Sequence, residues 1–298
     1  MSFTSQLPLN ISNQIPTWLQ EFFYDVQDLM WNSDLFGHSP SVLAAQHLAM
    51  ALNEGNQNVA VDLYSKGGKA VETVYNTVVG LGNQHFHVIL TNEQPNVNQF
   101  HELAHRAPGI KYIKHPVNPF SCNFEGLRMM LSGLRYMSPA DTSAWMATCV
   151  SYRNPIALFE LSRNSVWTAL FMSLLFPLFA VLGIPFMKLC FRRILFTFFI
   201  PLIPILAWYE GLTSCLLAYK KSQLIEIVKQ ADPEHQFKWR IGEIRLSFYL
   251  PIYMTTLIGV PNADVQQYGP YSPRRSPRGS VPRQHRLTQT SGSQVQYA

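Results

Sequence analysis

The residues from Asp62 to Lys69 combine a carboxylate, a hydroxyl and two adjacent glycines in the order D-L-Y-S-K-G-G-K. They follow an apolar run typical of a buried strand and precede K-A-V-E-T-V-Y-N-T-V-V-G-L, which has helical spacing. Glycines at such a turn let backbone amides approach a ligand, and the N-terminus of the next helix favours negative charge. The pattern therefore indicates a ligand site at the end of this strand, with a plain tight turn as the alternative.

A second candidate site is His101-Glu102-Leu103-Ala104-His105, which matches the pattern H-E-x-x-H. On a helix this spacing places two imidazoles on one face, where they can bind zinc while the glutamate acts as general base. The longer form of the motif is absent, since Pro108 and Lys111 stand where a glycine and a third histidine are needed. The segment also falls where a helix covering a sheet is expected. A zinc hydrolase is therefore a remote alternative, and we predict no metal ligands.

Strand-like and helix-like patterns alternate around these residues. Helices are predicted at 16–31, 39–53, 69–81, 97–107, 142–150 and 211–230, with 124–137 read as a helix leading into a strand. Strands are predicted at 58–65, 85–91, 110–117, 155–162, 237–250 and 253–261. Such alternation predicts an α/β fold with a parallel sheet and helices on both faces.

A pair of apolar segments interrupts this alternation. Val166–Phe186 is 21 residues without a charge, which matches the length of about 20 that a helix needs to cross a bilayer. Lys188, Arg192 and Arg193 follow, and then 194–208 is apolar for only 15 residues and contains two prolines. A run that short is more typical of a re-entrant or interfacial segment, or of a buried core helix. We expect the pair to associate with a lipid membrane. If the last strands complete the same sheet, it crosses twice or not at all.

The end of the chain is basic and poor in aliphatic residues. From Pro261 onward five arginines stand against Asp264, a net +4 of the total +5. Such a composition predicts a disordered tail, which can attract anionic lipid headgroups. No motif for nucleic acid accompanies these arginines, so we expect no nucleic-acid partner. The four cysteines are widely spread, and we predict free, packed thiols.

Several short motifs together resemble a known family. The order D-L-Y-S-K-G-G-K-A, V-I-L-T-N, F-E-L before an apolar pair, W-Y-E-G-L-T-S-C-L and L-I-G-V-P is similar to class I S-adenosylmethionine-dependent methyltransferase-like proteins with a membrane hairpin inserted late in the fold. The resemblance covers about 39–261, and its late motifs are the most specific. It implies a Rossmann-like methyltransferase sheet that binds S-adenosylmethionine (SAM).

The resemblance also implies which residues bind the cofactor. Asp62, Ser65, Gly67 and Gly68 would line its methionine end, Asn92 would meet the ribose, and Asn118 would lie near the adenine. The chain departs from the family pattern in three places. Lys66 replaces a glycine, and Asn92 and Asn118 stand where acids are common, so the charge-assisted part of those hydrogen bonds is missing.

These inferences divide the chain into five parts: an N-terminal helical segment at 1–57, a Rossmann-like core at 58–165, a membrane-associated helical pair at 166–209, the end of the core at 210–261, and a disordered basic tail at 262–298. We expect a membrane-associated methyltransferase-like protein that transfers a methyl group to a lipophilic acceptor. The alternative is a catalytically inactive scaffold or binding protein. The N-terminus has the features of neither a secretory signal nor a mitochondrial presequence, so we expect an intracellular membrane. No catalytic residue is assigned.

Overall fold

A computed structural model describes residues 16–34, 37–118, 124–187 and 190–262. Its helices are α1 (Thr17–Trp31), α2 (Pro40–Glu54), α3 (Lys69–Gly80), α4 (Val97–Arg106), α5 (Pro139–Ser151), α6 (Val166–Leu182), α7 (Phe191–Ile194), α8 (Leu202–Leu216) and α9 (Lys221–Ala231). Its strands are β1 (Val59–Asp62), β2 (His87–Leu90), β3 (Ile110–Tyr112), β4 (Leu127–Leu131), β5 (Ile156–Glu160), β6 (Phe237–Arg245) and β7 (Tyr253–Pro261). The predicted basic tail lies outside the described residues from residue 263 onward.

The strands form one seven-stranded sheet in the order β3-β2-β1-β4-β5-β7-β6. The first five strands are parallel, while β7 lies antiparallel between β5 and β6, with Phe159 opposite Thr256. The predicted Rossmann-like α/β sheet is thereby confirmed. The parallel pairing expected from the alternating pattern holds for the first five strands and not for the last two. They are joined by a short loop and pair as a hairpin, and antiparallel neighbours need no helical crossover.

The central strands are apolar because both faces of the sheet are covered. All five residues of β4 and all five of β5 are buried, including Arg128. One core cluster contains Leu48, Val74 and Phe100 from α2, α3 and α4, and the other contains Trp145 and Leu224 from α5 and α9. Burial on both faces produces the continuous apolar runs seen in the sequence. The parallel pairing of β1, β2, β4 and β5 brings their carboxyl ends to one edge of the sheet.

Two segments differ from their predicted structure. Residues 127–131 form a strand rather than a helix, because they pair with β1 and β5 at the centre of the sheet. The single helix predicted at 211–230 is two helices, α8 and α9, separated by 217–220. Asn164 Nδ2 donates to the carbonyl oxygens of Leu216 (3.0 Å) and Ala218 (2.7 Å), which satisfies acceptors freed at the end of α8.

The apolar pair, defined here as α6, α7 and α8 with their connections, forms a bent hairpin against the sheet domain. The helix in its first segment ends at Leu182, before the predicted Phe186, because Gly183 caps it and a 3₁₀ turn follows. α7 continues into a π turn over Leu195–Phe199, and Pro201 then begins α8 after an extended Ile200. The residue before a proline is disfavoured in helical conformation, which accounts for the break.

Within the described ranges, no single helix is long and apolar enough to cross a membrane. Phe191–Phe199 and Leu202–Leu216 reach that length and composition only together, and they meet at a bend of 69°. α6 is apolar but has 17 residues. A transmembrane helix, as expected from the sequence, is therefore supported only weakly and only for the bent pair.

Among the described residues, no cysteine forms a disulfide bond. Cys149 and Cys215 are buried, as predicted, whereas Cys190 is exposed at the turn between α6 and α7. Cys122 lies outside the described residues. The prediction of packed thiols is thus wrong for Cys190, because its segment bends outward at the tip of the apolar pair.

Candidate functional site

The turn after β1, residues 63–68, is held to both neighbouring strands and is called the glycine turn below. Leu63 N donates to Met129 O of β4, and Ser65 N donates to Thr91 O after β2, both at 3.0 Å. Gly67 N then donates to Ser65 Oγ at 3.2 Å. Gly67 has a φ of +67°, and a Cβ there would lie 2.5 Å from the Phe100 ring. A glycine is therefore required both by the backbone conformation and by the close approach of α4.

Asp62 ends β1 at the edge where the strand order reverses between β1 and β4. Its side chain is 1% exposed, and its Oδ1 atom has no hydrogen-bond partner among the described residues. Burial raises the pKa of Asp62 to about 7, against the opposing effects of a hydrogen bond from Ser65 and the positive charge of Lys66. A buried carboxylate oxygen without a partner is costly, so this atom is suited to a ligand group that donates a hydrogen bond.

Lys66 points away from the turn and under α1. Its Nζ atom donates to Gln27 Oε1 and lies 5.4 Å and 5.9 Å from the ring centroids of Tyr24 and Tyr64. Burial and the nearby Arg135 lower the pKa of Lys66 to about 8. Lys66 therefore connects the turn to the N-terminal helix α1.

Asp28 of α1 occupies the N-terminus of α3, a contact that the sequence did not reveal. Its Oδ2 accepts from Lys69 N at 2.8 Å and its Oδ1 from Ala70 N at 3.3 Å. A Cβ at Gly68 would lie 1.7 Å from Asp28 Oδ2, so only glycine permits this contact. Close packing around the half-buried carboxylate raises its pKa to about 6, although the two backbone hydrogen bonds lower it. An anionic ligand group that reaches these amides has to displace Asp28.

Of the two asparagines expected at the cofactor, Asn92 contacts the glycine turn directly. Asn92 Nδ2 donates to Ser65 O at 2.7 Å, and its Oδ1 accepts from Gln94 N at 2.9 Å. Val117 N donates to Asn92 O at 2.9 Å, which places the exposed Asn118 next along the same edge. Asn92 therefore already holds the turn in place, and ligand contact through its amide requires these bonds to rearrange.

A buried ionic cluster fills the carboxyl ends of β4 and β5, and we call its members Arg135, Tyr136, Glu160 and Glu210 the buried cluster. Arg135 Nη1 donates to Glu160 Oε2 at 2.9 Å, and Arg135 Nη2 donates to Glu210 Oε1 at 2.5 Å. Tyr136 OH donates to the same Glu210 oxygen at 3.1 Å. All four residues are buried.

The sequence contains a signal for this cluster that our interpretation did not use. Glu210 is the only acidic residue between Leu161 and Ile225. A single carboxylate in such an apolar stretch has to be paired when it is buried. Its partner, Arg135, is 75 residues away in sequence and cannot be identified from spacing.

An open cavity of about 780 Å³ adjoins the glycine turn, between α1, α4 and the tip of the apolar pair. Of the six residues predicted to bind the cofactor, Gly67 and Gly68 line it, and Asp62, Ser65, Asn92 and Asn118 do not. Phe22, Phe186 and Met187 contribute apolar surface on the side of the apolar pair. Gly67 and Gly68 thus face this cavity, Asp62 and Ser65 lie in the interior, and Asn92 and Asn118 are partly or fully exposed.

The histidines of the H-E-x-x-H motif lie on the exposed side of α4. His101 Nε2 and His105 Nε2 are 3.1 Å apart, and His101 Nδ1 is 3.2 Å from Tyr112 OH. Among the described residues, no three His, Cys, Asp or Glu side chains form a group that could hold a metal ion. The geometry gives no support to a zinc hydrolase.

Comparisons with solved structures find methyltransferases at low sequence identity. The plantazolicin methyltransferase BpumL in complex with S-adenosylhomocysteine (SAH) has 9% identity and a TM-score of 0.45, over 82% of this chain and 98% of that chain. The mitomycin 7-O-methyltransferase MmcR has 11% identity and a TM-score of 0.42, over 74% of this chain and 54% of that chain. Human N-acetylserotonin methyltransferase in complex with SAM has 8% identity and a TM-score of 0.44, over 82% and 57%.

This chain spans little more than half the length of the mitomycin and human enzymes. The likeness concerns the fold alone. No protein-family model matches the sequence, and no curated protein matches it.

Proposed function

We propose that this protein is a SAM-dependent methyltransferase that works at a lipid membrane on a lipophilic acceptor. The observation that carries the proposal is the unpartnered Oδ1 atom of Asp62, buried at the strand edge beside the glycine turn. In open α/β sheets, ligands bind outside the carboxyl ends of the strands where the strand order reverses. Asp62 occupies that position between β1 and β4.

The chemistry of Asp62 and the glycine turn fits the methionine part of SAM. That part carries an ammonium group and the sulfonium sulfur, so a carboxylate with one unpartnered oxygen is a suitable partner. A cationic ligand would favour the ionised form of Asp62 and lower its pKa from about 7. When bound, SAM would supply an activated methyl group.

The residues of the chain would act mainly by positioning. Asp62 would hold the ammonium group, Gly67 and Gly68 would allow backbone to approach the ligand, and Asn92 would keep the turn against β2 through Ser65. Such orientation places the methyl group in line with an acceptor atom, which is the main contribution a protein makes to a transfer of this kind. The carboxylate of the cofactor would compete with Asp28 for the amides of Lys69 and Ala70.

The membrane part of the proposal is supported by the apolar pair. Large apolar side chains along it are exposed, among them Trp167, Leu174 and Phe199 at 80%, 70% and 77%. Contiguous exposed apolar surface of this kind marks membrane or protein interaction sites. Because Glu210 of the pair also belongs to the buried cluster, the membrane contact and the carboxyl edge of the sheet would be neighbours. That proximity favours an acceptor taken from lipid.

Calorimetric titration of the detergent-purified chain with SAH tests the cofactor assignment. We expect measurable binding that weakens about ten- to a hundredfold in Asp62→Asn, since a hydrogen bond to a charged group contributes about 1.5–3 kcal/mol. Asp34→Asn, at an exposed aspartate, is the matched control and should bind like the wild type. Unchanged affinity in Asp62→Asn would remove this residue from the site.

A non-catalytic membrane scaffold is the second candidate, and a specific observation favours it. Lys66 donates to Gln27, Asn92 donates to Ser65 O, and Asp28 accepts from Lys69 N. These three side chains beside the glycine turn therefore have hydrogen-bond partners without a ligand. No SAH binding at millimolar concentration, in a chain shown to be folded, would support the scaffold and reject the enzyme.

A further inference from the structure

We propose that the apolar pair docks flat on one leaflet of an anionic membrane without crossing it. The inference deepens the proposed function and takes from it only the membrane partner. The contact surface, called the outward face, consists of a row on α6, a turn before α8 and two positions on α8: Leu170, Leu174, Leu178, Leu182, Phe198, Phe199, Ile205 and Trp208.

The row on α6 lies on one side of the helix, because its members are spaced four residues apart. They are 49–70% exposed, while Ile205 and Trp208 of α8 are 55% and 46% exposed. Neither Val166–Leu182 nor 202–209 contains a charged residue. The outward face is therefore apolar along α6 and the first half of α8.

The opposite side of the apolar pair packs against the rest of the protein. Ala169, Met172 and Phe176 of α6 and Ala207 of α8 are buried in the same core cluster as the sheet. Glu210, in the second half of α8, is 2% exposed and contacts Arg135 (2.5 Å), Tyr136 (3.1 Å) and Gln27 (3.2 Å). A crossing orientation would carry this carboxylate into hydrocarbon and separate it from Arg135, which is strongly unfavourable.

The dimensions agree with a flat orientation. α6 has 17 residues and is therefore about 25 Å long at 1.5 Å per residue, shorter than a hydrocarbon core of about 30 Å. The returning arm is bent by 69°. Helices that lie in the interface need only one apolar face, and that is what the pair presents.

The charges at the ends of the outward face indicate lipid rather than a second copy of the chain. Arg192 at the tip and Lys220 and Lys221 at the base are exposed. They complement anionic headgroups, whereas a second copy would bring basic residues of the two chains together. Trp167, 80% exposed at the base of α6, is of the type that sits at headgroup level.

Co-flotation of the full chain with phosphatidylcholine vesicles containing phosphatidylserine measures the docking. We expect binding by the wild type and at least about a tenfold loss for Leu174→Glu and for Leu178→Glu, since each removes roughly the burial energy of one leucine. Leu81→Glu is the matched control, because Leu81 is 54% exposed at the end of α3 and lies off the outward face. Unfolding curves for each variant show whether it is folded. Equal binding by wild type and both folded variants would overturn the proposal.

Labelling of Cys190 distinguishes docking on one leaflet from crossing. Cys190 is exposed at the tip, while Cys149 and Cys215 are buried, and Cys122→Ser removes the remaining thiol. A membrane-impermeant maleimide trapped inside the vesicles should leave Cys190 unmodified, although the same reagent labels it in the absence of lipid. Modification from the inside would show that the tip crosses the bilayer and would reject the flat orientation.

Two further outcomes separate this inference from its alternatives. A concentration-dependent dimer that Leu174→Glu dissociates, with no vesicle binding by the wild type, would assign the outward face to a second copy. Vesicle binding that persists in a chain unable to bind SAH would leave the docking intact and reject only the proposed enzyme.

Discussion

At the scale of single residues, the glycine turn gathers more ionisable groups than a plain turn requires. Asp62 is buried with an unpartnered oxygen, Lys66 lies under α1, and Asp28 caps α3. The pKa of Asp62 is raised to about 7 and that of Lys66 is lowered to about 8, in both cases mainly by burial. Burial therefore disfavours the charged form of each side chain, and pKa values shifted in this way are common at ligand sites.

The pH dependence of the free energy of unfolding measures how much the buried charge of Asp62 destabilises the folded chain. Because its pKa is about 7 in the folded chain and near 4 in the unfolded chain, the folded state binds more protons between these values. The free energy of unfolding therefore falls as pH rises from about 4 to 7, because Asp62 becomes charged in its buried position. Above that range the destabilisation by this charge is complete. We expect Asp62→Asn to raise the free energy of unfolding by roughly 3–4 kcal/mol at pH 8 and by little at pH 4.

Urea unfolding followed by circular dichroism at both pH values measures this effect. Asp34→Asn, at an exposed position, should leave the free energy of unfolding unchanged at either pH. An equal loss of stability in Asp62→Asn at both pH values would mean that Asp62 has a structural role independent of its charge.

At the scale of elements, the apolar pair depends on a close crossing of α6 and α8. A Cβ at Gly211 would lie 2.3 Å from Met172 O and 3.0 Å from Ser173 Cα, which are backbone atoms that cannot rotate away. Ser214 and Cys215 continue this small-residue side of α8 and are buried. Small residues let the two backbones approach, and the outward face then presents both helices together.

Gly211→Ala should separate the two helices. We expect a loss of about 1–3 kcal/mol in the free energy of unfolding, because overpacking shifts the backbone of α6. Gly80→Ala is the matched control, since no atom lies within 4 Å of a Cβ at the end of α3. It should be neutral or stabilise by up to about 1 kcal/mol through helix propensity. Chemical denaturation compares the two, and equal effects would argue against the close crossing.

At the scale of the whole molecule, the sheet domain and the apolar pair form one unit through the buried cluster and α1. Glu210 joins the pair to Arg135 of the sheet edge, and Arg193 at the tip is ion-paired with Asp25 of α1. α1 in turn reaches the glycine turn through Gln27 and Asp28. A ligand at the glycine turn and lipid at the outward face would therefore act on directly connected elements.

Removal of the Glu210 charge should weaken the packing of the apolar pair against the sheet domain. We expect Glu210→Gln to lower the free energy of unfolding by about 2–3 kcal/mol, because hydrogen bonds to a buried charged group are lost while Arg135 stays buried. Glu54→Gln breaks a surface pair with Arg240 in which both side chains are more than a third exposed, and it should change stability by less than about 1 kcal/mol. Denaturant titration of both variants makes the comparison. Similar small effects would show that the buried cluster does not join the two parts.

Periodicity in the sequence was informative wherever local pattern decides the structure. The two N-terminal helices begin and end within one residue of their predicted limits, since proline at the start and amphipathic spacing are local signals. The six predicted strands were located, and all except the last, 253–261, were predicted too long. The segment 110–117, for example, leaves the sheet after Tyr112, because pairing with β2 ends there. The helix predicted near Leu127 was wrong, since a buried apolar run carries no periodicity to separate helix from strand.

By itself, the sequence determined the alternation of strands and helices, the glycine turn after β1 and the position of the apolar pair, because each depends on residues near one another in the chain. Only the tertiary structure decided that β7 lies between β5 and β6, that Asp28 occupies the amides of α3, and that Glu210 meets Arg135. These contacts join residues 41 and 75 positions apart, and in β7 they depend on which strand edge remains open. Spacing along a chain carries no record of such pairings, since they follow from how the faces of the sheet are covered.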